Sequence, residues 1–114
     1  MVAEFNPGKK SQTIVFDTPE EVQACARVGE AVERADDVPT DIAAMAGYMA
    51  TLKAADTDAY KPTPIFAGSD TDGLLRTISF AVYSVSDTAD ARLAHSLGNY
   101  LVDHGVDFTE VLAA

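Results

Sequence analysis

The sequence predicts a mainly α domain of four helices with one or two short β segments. Three observations point there. Apolar residues recur at three- and four-residue spacing in four separate stretches. Thr-Pro, Asp and Gly punctuation of the kind that starts and stops helices bounds those stretches. The chain has 114 residues, 47% hydrophobic and 23% charged, enough to close one core and not two. The alternative is an α+β domain in which residues 74–85 form a strand.

Residues 1–12 read as an irregular N-terminal arm with Asn6-Pro7-Gly8 as a turn signal, and residues 13–114 as a single helical domain. Thr13-Ile14-Val15-Phe16 is a short β-type run. Thr18-Pro19-Glu20-Glu21 follows, with an N-cap threonine, a proline at the first helical position and a glutamate at the third. That is a capping box, and its glutamates also favour the positive end of the helix dipole.

The first helix is expected over residues 19–35. Val22, Cys25, Val28, Gly29 and Val32 share one face, and Gln23, Arg27, Glu30 and Arg34 the other. The buried face is built of small side chains, so a partner helix can approach closely. Asp36-Asp37-Val38-Pro39 breaks the helix. Thr40 or Asp41 caps a second one running to about residue 54. Ile42, Met45, Met49 and Leu52 form its stripe, and most of the rest is alanine and glycine. With so little polar cover, this helix is expected at the centre of the fold.

Residues 56–64 read as a loop, Pro64-Ile65-Phe66-Ala67 as a second short strand beside residues 13–16, and residues 68–73 as another loop. Over residues 74–85, Leu74, Leu75, Ile78, Ala81, Val82 and Val85 share a helical face, capped by Asp70 or Asp72. The last helix is expected over residues 88–104, with Asp87 and Asp90 in capping positions and Gly105 as its stop. Leu93, Leu97, Tyr100 and Leu101 face inward; Arg92, Ser96, Asn99 and Asp103 face outward. Asp107 caps a final short turn. No internal repeat or low-complexity tract is present.

Chemical motifs are absent. Gly8-Lys9-Lys10-Ser11 lacks the earlier glycine and preceding strand of a phosphate loop. Asp70-Thr71-Asp72-Gly73 matches part of a calcium loop, but that register puts Gly68 first and Ser79 last, where acidic ligands belong. His95, His104 and Cys25 fit no zinc spacing. His95 and Ser96 are adjacent on one helix and do not face each other. Cys25, on a buried face, is expected to be an inert thiol. His104 is expected to bond the open carbonyls at its helix end. No enzymatic activity, cofactor or metal is expected.

The chain carries 18 acidic and 8 basic residues, a net charge of −10, and a pI near 4.3. Direct nucleic-acid binding is disfavoured, since phosphate contacts need clustered Lys and Arg. The acidity keeps the protein soluble, steers a basic protein partner, or suits a high-salt cytoplasm, for which the acidic excess is modest. No apolar run approaches the roughly 20 residues of a membrane helix, and no signal-like segment opens the chain. With its single cysteine, this leads to a cytoplasmic expectation.

On a helix over residues 74–85, Arg76, Phe80 and Tyr83 lie opposite the apolar stripe. Arginine and aromatics dominate protein interfaces, so these three are the candidate partner-binding residues. The expected function is a non-enzymatic acidic interaction protein of bacterial or viral type. It would bind a protein partner, in the manner of an inhibitor, immunity protein or antitoxin, or sit within an assembly, with homo-oligomerisation open. The alternative is a small-ligand binder that sequesters a nucleotide signal at a site between subunits, using Arg92, Tyr48 and Tyr60.

Overall fold

The computed structural model describes residues 3–6, 11–16, 18–52, 64–67, 69–85 and 87–106. In chain order they form β1 (Ala3–Asn6), β2 (Ser11–Val15), α1 (Pro19–Glu33), α2 (Thr40–Thr51), β3 (Pro64–Ala67), α3 (Ser69–Ser84) and α4 (Thr88–Asp103). The fold is a mainly α four-helix domain. Residues 74–85 lie in α3 and its C-terminal end, not in a strand. An apolar face that persists over three turns is satisfied by one helix and would be split by a strand.

The N-terminal arm departs from expectation. Residues 3–6 and 11–15 are not irregular; they are antiparallel partners, with Ala3 opposite Ile14 and Asn6 opposite Ser11. Four residues are too few to show a strand period, and pairing with β2 supplies the hydrogen bonds that make a strand of them. On its other side β2 pairs antiparallel with β3, giving the order β1-β2-β3, with an irregularity between Ile14 and Val15. Pro64 opens an edge strand, where a missing N–H does least harm.

At the start of α1, Pro19 occupies the first turn and Glu20 and Glu21 face the positive end of the dipole. The capping box is not closed: Thr18 makes no side-chain bond to the helix backbone, and its hydroxyl donates to the Glu21 carboxylate. Val22, Cys25, Val28, Gly29 and Val32 are all buried. α1 ends two residues early, and Asp37 takes a left-handed turn at φ 57°, which aspartate tolerates.

α2 begins at Thr40, directly after Pro39, with no side-chain cap from Thr40 or Asp41. It is not the central helix. It packs on α1 and α3, and only Ala46 and Met49 are buried. Alanines remove little apolar area from water whichever way they face, so an alanine-rich helix is not driven inward on all sides. The central element is α3, which touches α1, α2, α4, β2 and β3. It starts at Ser69, so residues 69–73 belong to a helix and not to a loop. Asp70 and Asp72 lie within its first turn, where their charge suits the dipole.

α4 has the most complete ends. The Asp87 carboxylate accepts from the backbone N–H groups of Ala89 and Asp90 at 2.9 and 3.1 Å. At the other end Gly105 has φ +94°, its N–H donates to Val102 O, and Val106 N–H donates to Leu101 O. This pair of hydrogen bonds is a Schellman motif, and the Val106 that follows is buried in the core.

One core joins the sheet to the helices. Ile14, Phe16 and Phe66 meet Leu74, Leu75, Ile78 and Leu101 there, with Phe16 edge-on to Phe66 and stacked on Tyr100. Among the described residues no buried side-chain N or O lacks a hydrogen-bond partner, and no helix is long and apolar enough to cross a membrane. The final turn expected after Asp107, and the loop expected over residues 56–64 apart from Pro64, which opens β3, lie outside the described residues.

Candidate interaction site

Helix α2 exposes what its composition made hard to hide. Ala43, Ala44 and Tyr48 are exposed and Ile42 and Met45 are half-buried. A helix with apolar residues on nearly every side normally buries them all. Here the side turned from α1 opens into a groove of about 450 Å³ against α3, lined by Ile42, Ala44, Met45, Tyr48, Gly73 and Arg76, with Asp41 and Asp70 at its rim. Gly73 lets the Met45 side chain lie close on α3: a Cβ there would stand 2.9 Å from Met45 Cε.

Tyr48 is fixed from below. Its ring meets the edge of the buried Phe66 ring at 5.6 Å and 85°, while 46% of the residue stays exposed. Across the groove, the Arg76 guanidinium lies 3.4 Å from the Asp41 carboxylate, with side chains 50% and 59% exposed. An ion pair this open contributes about 0–1 kcal/mol, so an incoming charge can exchange with either member at little cost. An aromatic anchor, a methionine floor and exchangeable charges are the elements from which protein contact surfaces are built.

The predicted partner-binding residues do not line a single groove. Arg76 lines the α2/α3 groove, whereas Tyr83, 81% exposed, lines a second groove between α3 and α4. Phe80 is not the exposed aromatic the helical wheel implies; it is half-buried and packed against the core. A wheel assumes one buried side, and α3 is approached from several. Of the alternative ligand residues, Tyr48 lies in the α2/α3 groove and Arg92 stands exposed on α4, away from that groove's lining. Tyr60 lies outside the described residues. The pairing of Tyr48 with Arg76 was invisible in the sequence, because no local spacing connects residues on different helices.

The reactive side chains are occupied elsewhere. Cys25 is fully buried, and burial pushes its thiol from 9.0 up to about 12. It is therefore a protonated core group, not a nucleophile. His104 Nδ1 lies 2.8 Å from the Tyr100 carbonyl oxygen. Because a carbonyl only accepts, Nδ1 carries the proton and donates. The ring also packs on Tyr100 at 4.3 Å. His95 is exposed, and Asn99 Nδ2 donates to its Nδ1 at 3.3 Å. Among the described residues no three His, Cys, Asp or Glu side chains are placed to share a metal ion. Near the α1 and α4 termini, Arg34 pairs with Asp90 at 3.2 Å beside Asp36, Asp37 and Asp87.

No family model matches the chain, and comparison with curated proteins and with solved structures gives no match.

Proposed function

We propose that this chain is a non-enzymatic, acidic interaction protein that binds a basic protein partner at the α2/α3 groove, as an inhibitor or antitoxin-like protein would. The observation that carries the reading is the apolar solvent side of α2, where Ala43, Ala44 and Tyr48 remain exposed. In a protein of net charge −10, Asp41 and Asp70 at the groove rim favour a Lys or Arg side chain entering over the Tyr48 ring. The overall field speeds the encounter, and Tyr48 with Met45 supplies the apolar contact that holds the complex.

The test compares immobilised wild-type protein with Tyr48→Ala and with the Asp41→Asn, Asp70→Asn double variant in extracts of the source cells. The expected result is a basic protein retained by the wild type and lost from both variants, with retention falling as salt rises. Identical retention by all three sinks the proposal. Nothing in the placement of Arg92 and Tyr48 favours the small-ligand alternative within one chain.

A further inference from the structure

We propose that the α3/α4 groove is a self-association surface, on which a second copy of this chain docks antiparallel about a two-fold axis. The groove, about 210 Å³, is lined by Ile78, Val82, Tyr83, Gly98 and Val102 together with the uncharged polar groups of Ser79 and Asn99 and the ring of His95. Tyr83 at 81% and Val102 at 53% are the most exposed large apolar residues described. In a protein of net charge −10, this groove has no carboxylate in its lining. A basic partner finds no counter-charge in it, and a second acidic copy meets no buried repulsion.

The rims decide the orientation. Residues 85–87 connect α3 to α4, so the two helices form an antiparallel hairpin. Along α4, Arg92, Asn99 and Asp103 fall on one face at spacings of seven and four. Along α3, Asp72, Ser79 and Tyr83 do the same. The hairpin therefore carries exposed Asp72 and Asp103 at one end of the groove, where Arg76, one turn from Asp72, is paired with Asp41 of α2, and exposed Arg92 at the other. The eleven residue steps from Arg92 to Asp103 span about 16 Å of helix. A two-fold axis across the middle of the groove places Arg92 of one copy against the acidic end of the other, twice, and lays Tyr83 and Val102 over the facing apolar strip. A parallel arrangement would set acid on acid. This is the isologous geometry by which most homodimers close.

Sedimentation velocity over micromolar to millimolar concentrations tests this, with circular dichroism to verify that each variant is folded. The wild type is expected to dimerise, and Tyr83→Asp to weaken the dimer by about tenfold or more. Arg92→Asp and Asp103→Arg are each expected to weaken it, and the double variant, which exchanges the two ends, to recover most of the loss. A wild type that stays monomeric throughout overturns the proposal. So does a dimer indifferent to Tyr83→Asp, or a double variant no better than its singles. Tyr48 and Asp70 lie outside this groove, so failure here leaves the α2/α3 reading standing, and the reverse holds too.

Discussion

The two helix hairpins of this domain are packed by opposite means. Between α1 and α2 the backbones are nearly in contact: a Cβ on Gly29 would stand 2.6 Å from Ala46 O, 2.7 Å from Met49 Cβ and 2.9 Å from Ala50 N. Between α3 and α4 the helices leave an open groove rimmed by an exposed tyrosine and valine. The first seam spends its small residues on closing, and nothing more can enter it. The second leaves larger side chains partly unsatisfied, which is a state suited to contact with something else. The contrast is one of packing: the seam within the first hairpin is closed, while the seam within the second leaves a groove open.

Breaking the tight seam is the largest effect expected. Gly29→Ala puts a methyl group against backbone atoms that have nowhere to go, and should cost about 3 kcal/mol in urea unfolding. If the cost is near zero, the α1/α2 contact is looser than described. The next effect is in pH and reports on the same face of α1. The Cys25 thiol is held up at about 12 by burial. A raised value favours the protonated form in the fold, so this contribution is complete below pH 9 and is lost as pH rises toward 12. Wild-type stability should fall over that window more steeply than that of Cys25→Ala, and native Cys25 should resist thiol reagents at pH 8.

Smaller effects sharpen the comparison. Asp87→Ala removes the cap on α4 and should cost about 1 kcal/mol, seen as a lower Tm. Gly47→Ala tests how local the tight seam is. Its Cβ would meet only Glu33 Oε2 at 3.8 Å, so the gain in helix propensity should raise stability by about 0.5–1 kcal/mol. Smallest is Tyr83→Ser, within about 0.5 kcal/mol of wild type, because the ring is mostly in solvent. A large loss there would mean that the α3/α4 groove is structural.

The elements that could be read from sequence were those whose signals are local. The stripe from Val22 to Val32 and the ends of α4 at Asp87 and Gly105 depend on neighbours within a turn or two. The small-residue face of α1 foretold a close helix contact, and Gly29 makes it. Two errors have a common source. β1 becomes a strand only through β2, and α2 lies outside only because α3 takes the centre. Neither dependence leaves a mark on the segment itself. The candidate site was half visible for the same reason. Arg76 and Tyr83 could be named as surface residues on one helix, but which groove each lines is set by α2 and α4. Phe80 was misplaced because its cover comes from packing that no helical wheel contains.

The strand order β1-β2-β3 bears on how the chain reaches this structure. β2 meets β1 across a short span of sequence but meets β3 only across both α1 and α2. The first pairing can zip early at small entropic loss. The second closes a loop that contains an entire helix pair, and that closure is cheaper once the pair has already collapsed. Completion of the sheet is thus expected to follow docking of α1 on α2, as one of several non-local joinings, with the packing of α3 and α4 on α1, that set the refolding rate.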